Sequence, residues 1–125
     1  MPQPSILIVD DDEAIRESLE MALERRYRVV LAAHGQAALA RLAEAPADLV
    51  LLDLMMPVLD GAGFMAEARR LGLALRVVIM SAGTEVRTRA RELGADDFLQ
   101  KPISLDLLEQ KLARVLATPA RTVGP

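Results

Sequence analysis

The chain contains short runs of consecutive apolar residues, and polar positions do not alternate with apolar ones inside them. Strands that are buried on both faces of a parallel sheet have this pattern, because neither face meets water. Three runs are strong and two are weaker, and the more polar of the weaker two is expected at an edge of the sheet. The predicted strands are 6–9, 27–33, 48–52, 76–80 and 96–100, the last of these being the edge.

Segments with helical periodicity separate these runs. In residues 13–26, Ile15, Leu19 and Leu23 recur at the spacing of one helix face, and charged residues occupy the opposite face. Similar stripes predict four more helices, and Ser104 is positioned to cap the last of them. The predicted helices are 13–26, 36–44, 62–71, 85–93 and 105–116.

Strand and helix therefore alternate five times, which predicts an α/β fold with a doubly wound parallel sheet and helices on both faces. Sheets of this kind bind ligands beyond the carboxyl ends of their strands. The residues at those ends are polar, and we expect their side chains to converge on one pocket. They are Asp10 and Asp11 after the first strand, Asp53 after the third, Ser81 after the fourth and Lys101 after the fifth.

Four consecutive acids, residues 10–13, follow the first predicted strand directly. Two carboxylates 4 Å apart repel each other by about 4 kcal/mol at an effective dielectric constant near 20, so the cluster predicts a cationic partner. A second interpretation stays open for this stretch taken alone. Acids in the first turn of a helix complement its dipole, each by about 0.3 to 1 kcal/mol, and Asp12 and Glu13 fit that role.

Composition narrows the class of protein. A length of 125 residues suits one domain, which we expect to span 1–117. Residues 118–125 lack helical or strand periodicity, which predicts a flexible tail or the start of a linker. A net charge of −3 argues against direct binding of nucleic acid. The chain has no cysteine, no N-terminal targeting signal and no apolar stretch of spanning length, which predicts a cytoplasmic protein that does not cross a membrane.

The five residues at the strand ends, together with DLMMPVLDG at 53–61 and KP at 101–102, resemble the receiver domain of two-component response regulators. The resemblance extends over about residues 5–117. It implies a flavodoxin-like (βα)5 three-layer sandwich with five parallel strands in the order 2-1-3-4-5. It also implies a phosphorylation-dependent signalling switch, which catalyses its own phosphorylation and dephosphorylation rather than the turnover of a substrate.

The resemblance implies a role for each residue of the pocket. Asp53 would accept a phosphoryl group from the phosphohistidine of a sensor histidine kinase or a phosphotransfer protein. Asp11 would bind Mg²⁺ directly, Asp10 mainly through water, and Asp53 and the backbone carbonyl of Met55 would complete the protein ligands. Oxygen ligands in a partly hydrated site suit Mg²⁺. The Lys101 ammonium would face the charge on the transferred group.

The resemblance also implies how the signal leaves the site. The Ser81 hydroxyl would bond the new phosphoryl oxygen and Phe98 would turn inward, which alters the face formed by the fourth helix, the fifth strand and the fifth helix. An output domain, a partner protein or a phosphorylation-linked homodimer would use that face. Ser81 and Lys101 are 20 positions apart, about two fewer than the family pattern usually has, so we expect a short fourth loop or helix.

Met55 and Gly83 lie at the positions that flank the phosphoryl site and tune its hydrolysis. Neither side chain can hold a water molecule for in-line attack, which predicts slow dephosphorylation. For the adjacent pair Met55 and Met56, we expect one side chain to be packed and the other to line the pocket.

Two charged features have simpler interpretations. His34 lies in a turn before a helix and is predicted to be a solvated loop residue rather than a metal ligand, which would need partners. The arginines of the fourth helix are interpreted as a solvated face, with contact to a partner protein as the alternative. They are Arg87, Arg89 and Arg91.

Two other functions stay open. A Mg²⁺-dependent aspartyl-phosphate phosphatase also uses an aspartate nucleophile after its first parallel strand, usually within a DxDxT pattern. Asp10 and Asp12 match two of its positions, but position 14 is Ala. A pseudo-receiver would keep the acidic residues and bind a partner without being phosphorylated.

Overall fold

The structure is a computed structural model that describes residues 3–123. Five parallel strands form one sheet, five helices cover its two faces, and two strands of two residues each form a small separate sheet. In chain order the elements are β1 (Ser5–Val9), α1 (Glu13–Leu23), β2 (Arg28–Ala32), α2 (Gly35–Glu44), β3 (Leu49–Asp53), α3 (Gly61–Arg70), β4 (Ala74–Leu75), β5 (Val77–Ser81), α4 (Val86–Leu93), β6 (Asp97–Gln100), α5 (Leu105–Leu116) and β7 (Arg121–Thr122).

The five-stranded sheet has the order β2-β1-β3-β5-β6. Because the two-residue β4 adds one to the numbering, this is the predicted order 2-1-3-4-5 of the parallel strands. In the register of the sheet, Ile6 of β1 pairs with Val29 of β2 on one side and with Leu49 of β3 on the other. The predicted doubly wound, flavodoxin-like fold is confirmed.

Burial follows the apolar runs of the sequence. Every residue of β1, β3 and β5 is buried, whereas the edge strands β2 and β6 are partly exposed. Successive residues of β1 face opposite layers: Ile6 and Ile8 pack with α1 and α5, and Leu7 and Val9 pack with α2, α3 and α4. The sheet is therefore the middle layer of a three-layer sandwich.

Side chains of the loops cap four of the five helices. Asp12 caps α1, Asp60 caps α3 and Ser104 caps α5, the last as predicted. His34 caps α2, because its Nδ1 accepts a hydrogen bond from the amide of Ala37 at 3.1 Å. The eight residues of α4 begin without a side-chain cap, so the predicted short fourth segment is confirmed as a short helix.

Part of residues 118–123, for which the sequence predicts a flexible tail or the start of a linker, is paired with another segment of the chain in the structure. The β7 strand pairs antiparallel with β4, and the amide of Val123 donates to the Leu73 carbonyl at 3.1 Å. Val123 is buried in the core layer of α3 and α4. Backbone pairing and one apolar side chain therefore hold this segment, and the predicted boundary at 117 stays a prediction. Residues 124 and 125 lie outside the described residues.

The helices are short. Between residues 3 and 123 the longest is α5, with 12 residues, whereas a membrane-spanning helix needs about 20 residues. None of the helices in that range is long and apolar enough to cross a membrane.

Candidate functional site

The residues at the carboxyl ends of the parallel strands meet in one cavity of about 510 Å³. Asp10 follows β1, Asp53 ends β3, Ser81 ends β5 and Lys101 follows β6. The loop residue Asp11 lines the same cavity, which we call the acidic cavity. The convergence predicted from the alternation of strands and helices is present, because parallel strands end at the same edge of the sheet.

Three carboxylates of the acidic cavity form a cluster. Oxygen atoms of Asp10, Asp11 and Asp53 all lie within 4.8 Å of one another. Asp10 and Asp53 are buried, and Asp11 is exposed, so the cluster opens to solvent on one side. Clustered carboxylate oxygens with room for water suit a hard divalent cation such as Mg²⁺. The donor set therefore fits the metal predicted from the sequence.

Lys101 supplies the ammonium of the cavity. Its Nζ lies 2.8 Å from Asp10 Oδ2 and 3.5 Å from Asp53 Oδ1. Burial alone would lower the pKa of Lys101, but the hydrogen bond to Asp10 and the charge of Asp53 outweigh it, and the pKa is raised above its usual value. Lys101 therefore stays protonated and offsets part of the repulsion within the cluster.

The fold hinders ionisation of the Asp53 carboxylate. Burial, and then the negative charge of Asp10, raise the pKa of Asp53 to about 6, although Lys101 and a hydrogen bond from the Met55 amide act in the opposite direction. That amide lies 3.3 Å from Asp53 Oδ1. The charged form of Asp53 is therefore destabilised in the folded chain, and a cation bound beside it would favour ionisation.

Asp53→Asn is expected to raise the free energy of unfolding by about 2 to 3 kcal/mol at pH 8 in the presence of a chelator. The folded-state pKa of about 6 exceeds the ordinary aspartate pKa of 3.8, so ionisation of Asp53 weakens the fold progressively as pH rises from about 4 to 7. The stabilisation by asparagine should grow over that range and vanish below it.

Urea unfolding of both chains at several pH values measures this difference. A stabilisation by Asp53→Asn that is the same at pH 4 and pH 8 would contradict the assigned shift.

Hydrogen bonds that the sequence did not predict hold the loop after β1. Asp10 Oδ1 accepts from the amide of Asp12 at 2.9 Å, and the Arg16 guanidinium donates to the Asp10 carbonyl at 2.7 Å. These bonds orient the Asp10 carboxylate toward Lys101. Nothing in the periodicity of α1 distinguishes Arg16 from its other charged residues, so sequence alone could not have identified it.

Close packing positions the loop after β3. A Cβ atom on Gly61 would lie 2.8 Å from the Leu54 Cα and 2.9 Å from the Asp53 carbonyl oxygen. The Gly61 amide also donates to the Leu54 carbonyl at 3.0 Å. The glycine of the DLMMPVLDG stretch therefore lets α3 begin directly against the residue that follows Asp53.

The rim of the acidic cavity contains both residues that the sequence links to hydrolysis. Met55 is 72% exposed, whereas Met56 is packed in the core, which confirms the predicted division between them. Ser81 Oγ accepts a hydrogen bond from the Gly83 amide at 3.1 Å. A side chain at Gly83 would meet only that hydroxyl, at 3.5 Å. The rim therefore has room for a Cβ atom at position 83.

The acidic cavity also includes three charged residues that were not predicted as site residues: Asp12, which caps α1, and Glu85 and Arg89. Glu85 directly precedes α4, and Arg89 lies in its first turns. Two signals in the sequence direct attention to this helix: the short connection between Ser81 and Lys101, and the three arginines Arg87, Arg89 and Arg91.

Phe98 lies in β6 and does not line the acidic cavity. Its ring is half-buried, with the Arg87 guanidinium 5.5 Å and the Lys111 ammonium 4.0 Å from its centroid. Lys111 and Arg114 also form ion pairs with Asp97. The ring therefore sits on the outer face of β6 between cationic side chains from α4 and α5.

Comparison with known proteins identifies the family. The model of the response regulator receiver domain matches residues 6–113. The response regulator MprA of Mycolicibacterium vanbaalenii is 43% identical over 120 residues, which are 94% of this chain and 51% of the relative. MprA of Mycobacterium ulcerans is 42% identical over 120 residues, 94% of this chain and 50% of the relative. The chain thus spans about half the length of the curated relatives it matches.

Solved structures agree with the family match. The receiver domain of the Francisella response regulator 1452 aligns with a TM-score of 0.85 and 30% identity, over 92% of this chain and 98% of that one. A putative response regulator from Chloroflexus aurantiacus aligns with a TM-score of 0.86 and 29% identity, over 94% and 100% of the two chains. With the fold, the acidic cavity and the match over 6–113 in agreement, the chain belongs to the response regulator receiver domain family.

Proposed function

We propose that this chain is a phosphorylation-dependent signalling switch that accepts a phosphoryl group on Asp53. The donor is the phosphohistidine of a sensor histidine kinase or of a phosphotransfer protein. The observation that supports this most directly is the cluster of Asp10, Asp11 and Asp53 around the Lys101 ammonium in one open cavity. A buried carboxylate beside cations is suited to attack phosphorus and to hold the product.

In the proposed reaction, an oxygen of the ionised Asp53 carboxylate forms a bond to phosphorus as the phosphorus–nitrogen bond of the donor breaks. The imidazole leaves with the bonding electron pair and takes up a proton, and the product is an acyl phosphate on Asp53. Lys101 Nζ is 3.5 Å from Asp53 Oδ1 and can donate to an oxygen of the transferred group. Hydrolysis of the acyl phosphate resets the switch.

Asp10, Asp11 and Asp53 would hold Mg²⁺, together with the backbone carbonyl of Met55. The exposed Asp11 would bind the ion directly, and Asp10, already hydrogen-bonded to Lys101, would act mainly through water. When bound, the ion neutralises charge on the phosphoryl oxygens.

The signal is proposed to leave through Ser81 and Phe98. The Ser81 hydroxyl would exchange its bond with the Gly83 amide for a phosphoryl oxygen, and the Phe98 ring would turn inward from the cations of α4 and α5. The face of α4, β6 and α5 would then contact an output domain, a partner protein or a second copy of the chain. The relatives of about twice this length support the first possibility. We place the process in the cytoplasm.

Acetyl phosphate tests the proposal without a kinase. Incubation with Mg²⁺ is expected to add one phosphoryl group, which is labile to base, and a chelator should prevent the addition. Intact-mass spectrometry measures the product, and Asp53→Asn is expected to show none. Equal labelling of Asp53→Asn would assign the nucleophile elsewhere. Turnover of small phosphate esters would favour the phosphatase, and binding of a partner without any labelling would favour the pseudo-receiver.

A further inference from the structure

One arginine of α4 faces the acidic cavity, and its neighbours do not. Arg89 lines this cavity together with Glu85 and Val86, which lie one helical turn before it. Arg87 and Arg91 line a different cavity, of about 440 Å³, on the other side of the helix with Phe98. The three arginines, which the sequence suggested were a single solvated face, are therefore divided between two cavities.

The short segment before α4 explains why the helix reaches the cavity. Ser81 ends β5 and Val86 already begins α4, with four residues between them. Val86 is buried and anchors the first turn in the core. Arg89, three residues later, therefore projects from the same side of the helix toward the strand ends.

Charge in the acidic cavity favours an additional cation. Five of its lining residues carry carboxylates, and the cationic ones among the described residues are Lys101 and Arg89. Lys101 already donates a hydrogen bond to Asp10 and forms an ion pair with Asp53. A phosphoryl group adds a charge of about −1.5 to −2 at neutral pH. The carboxylates are Asp10, Asp11, Asp12, Asp53 and Glu85.

Arg89 is free to change partners. Its guanidinium pairs with Glu92 at 3.1 Å, and the two side chains are 40% and 55% exposed. Exposed pairs of this kind contribute little stability. The contact to Glu92 uses one nitrogen of the guanidinium, whereas a guanidinium can donate two parallel hydrogen bonds to a phosphate.

We infer that Arg89 is a second phosphoryl-binding cation of this receiver. Its guanidinium leaves Glu92 and donates to oxygens of the group on Asp53, and it draws anionic donors into the acidic cavity before transfer. This inference rests on the proposed function. The transfer itself is unchanged: with acetyl phosphate, the bond from phosphorus to the acetate oxygen breaks, the bond to the Asp53 oxygen forms and acetate leaves.

Beryllium fluoride with Mg²⁺, a mimic of the phosphoryl group, tests the inference by binding rather than by turnover. Arg89→Ala is expected to bind it about 5- to 10-fold more weakly and to need a correspondingly higher acetyl phosphate concentration for half-maximal labelling rate. Arg91→Ala removes the same charge from the same helix on the side away from the cavity, and is expected to differ less than about 2-fold from the parent.

Glu92→Gln gives a change in the opposite direction. Glu92 does not line the acidic cavity, so releasing Arg89 from it should tighten beryllium fluoride binding about 2-fold, and the effect should vanish in the Arg89→Ala background. If Arg89→Ala and Arg91→Ala weakened beryllium fluoride binding equally while the parent was still labelled at Asp53, the role of Arg89 would be overturned and the proposed function would stand. A parent that neither labels nor binds the mimic would overturn the proposed function, and the inference with it.

Discussion

Lys101→Met is expected to lower the free energy of unfolding by about 3 kcal/mol when divalent cations are absent. The ammonium contacts Asp10, which is fully buried, and lies 3.5 Å from Asp53. Without it, the repulsion between these buried carboxylates is no longer offset. Methionine keeps most of the apolar stem of lysine, so the loss in free energy of unfolding results mainly from removal of the positive charge.

Saturating Mg²⁺ is expected to remove most of this loss. A cation bound among Asp10, Asp11 and Asp53 replaces the missing positive charge, and it binds more tightly where no ammonium competes for the carboxylates. Urea unfolding at pH 8, with chelator and with Mg²⁺, measures both effects. Lys101→Arg keeps the charge and is the matched control. A loss of equal size in the two buffers would show that Lys101 acts through packing instead.

The same Lys101→Met variant is expected to accept a phosphoryl group from acetyl phosphate about 100-fold more slowly at saturating Mg²⁺. If the variant binds Mg²⁺ more tightly but is phosphorylated more slowly, the slower phosphoryl transfer reflects loss of the ammonium and not loss of the metal. The initial rate of labelling, followed by intact mass, gives the ratio. Rates within a factor of about 2 of the parent would exclude Lys101 from transition-state stabilisation.

The fold could be predicted because its three central strands, β1, β3 and β5, are buried on both faces. Runs such as residues 6–9 and 77–80 are apolar at every position, which distinguishes them from the helical stripes between them. Once strands and helices alternate, topology brings the strand ends to one edge of the sheet. The convergence of Asp10, Asp53, Ser81 and Lys101 therefore followed from local patterns alone.

Other parts of the site depend on contacts that no local pattern encodes. The pairing of β7 with β4 joins residues far apart in the chain, and neither two-residue strand has a periodicity to detect. The direction in which Arg89 projects from α4 depends on where the helix begins after Ser81. The sequence predicted only that the segment between Ser81 and Lys101 is short. The cap formed by His34 required an imidazole acceptor, which is a rare choice beside Ser, Thr, Asp and Asn.

The lifetime of the phosphorylated state is expected to be long, and Met55→Asn is expected to shorten it about 10- to 100-fold. Hydrolysis needs a water molecule held in line with the leaving oxygen of Asp53, and orienting assistance is commonly worth about 10² to 10⁴ in rate. Met55 stands at the rim of the acidic cavity with an apolar side chain, so it supplies no such orientation. Asparagine at this position offers an amide while leaving the backbone contact from residue 55 to Asp53 in place.

Gly83→Glu is expected to shorten the lifetime in the same direction, because its carboxylate can orient water from the opposite rim. The structure allows the substitution, since a Cβ at this position meets only Ser81 Oγ, at 3.5 Å.

Glu85 already lines the cavity as a carboxylate, so Glu85→Gln is the matched control. If Glu85 oriented the attacking water, Glu85→Gln would slow phosphate release in the parent and the predicted gains would be small. Phosphate release after removal of acetyl phosphate measures all the rates. Unchanged or slower decay in both Met55→Asn and Gly83→Glu would show that orientation of water at the rim does not limit hydrolysis in this receiver.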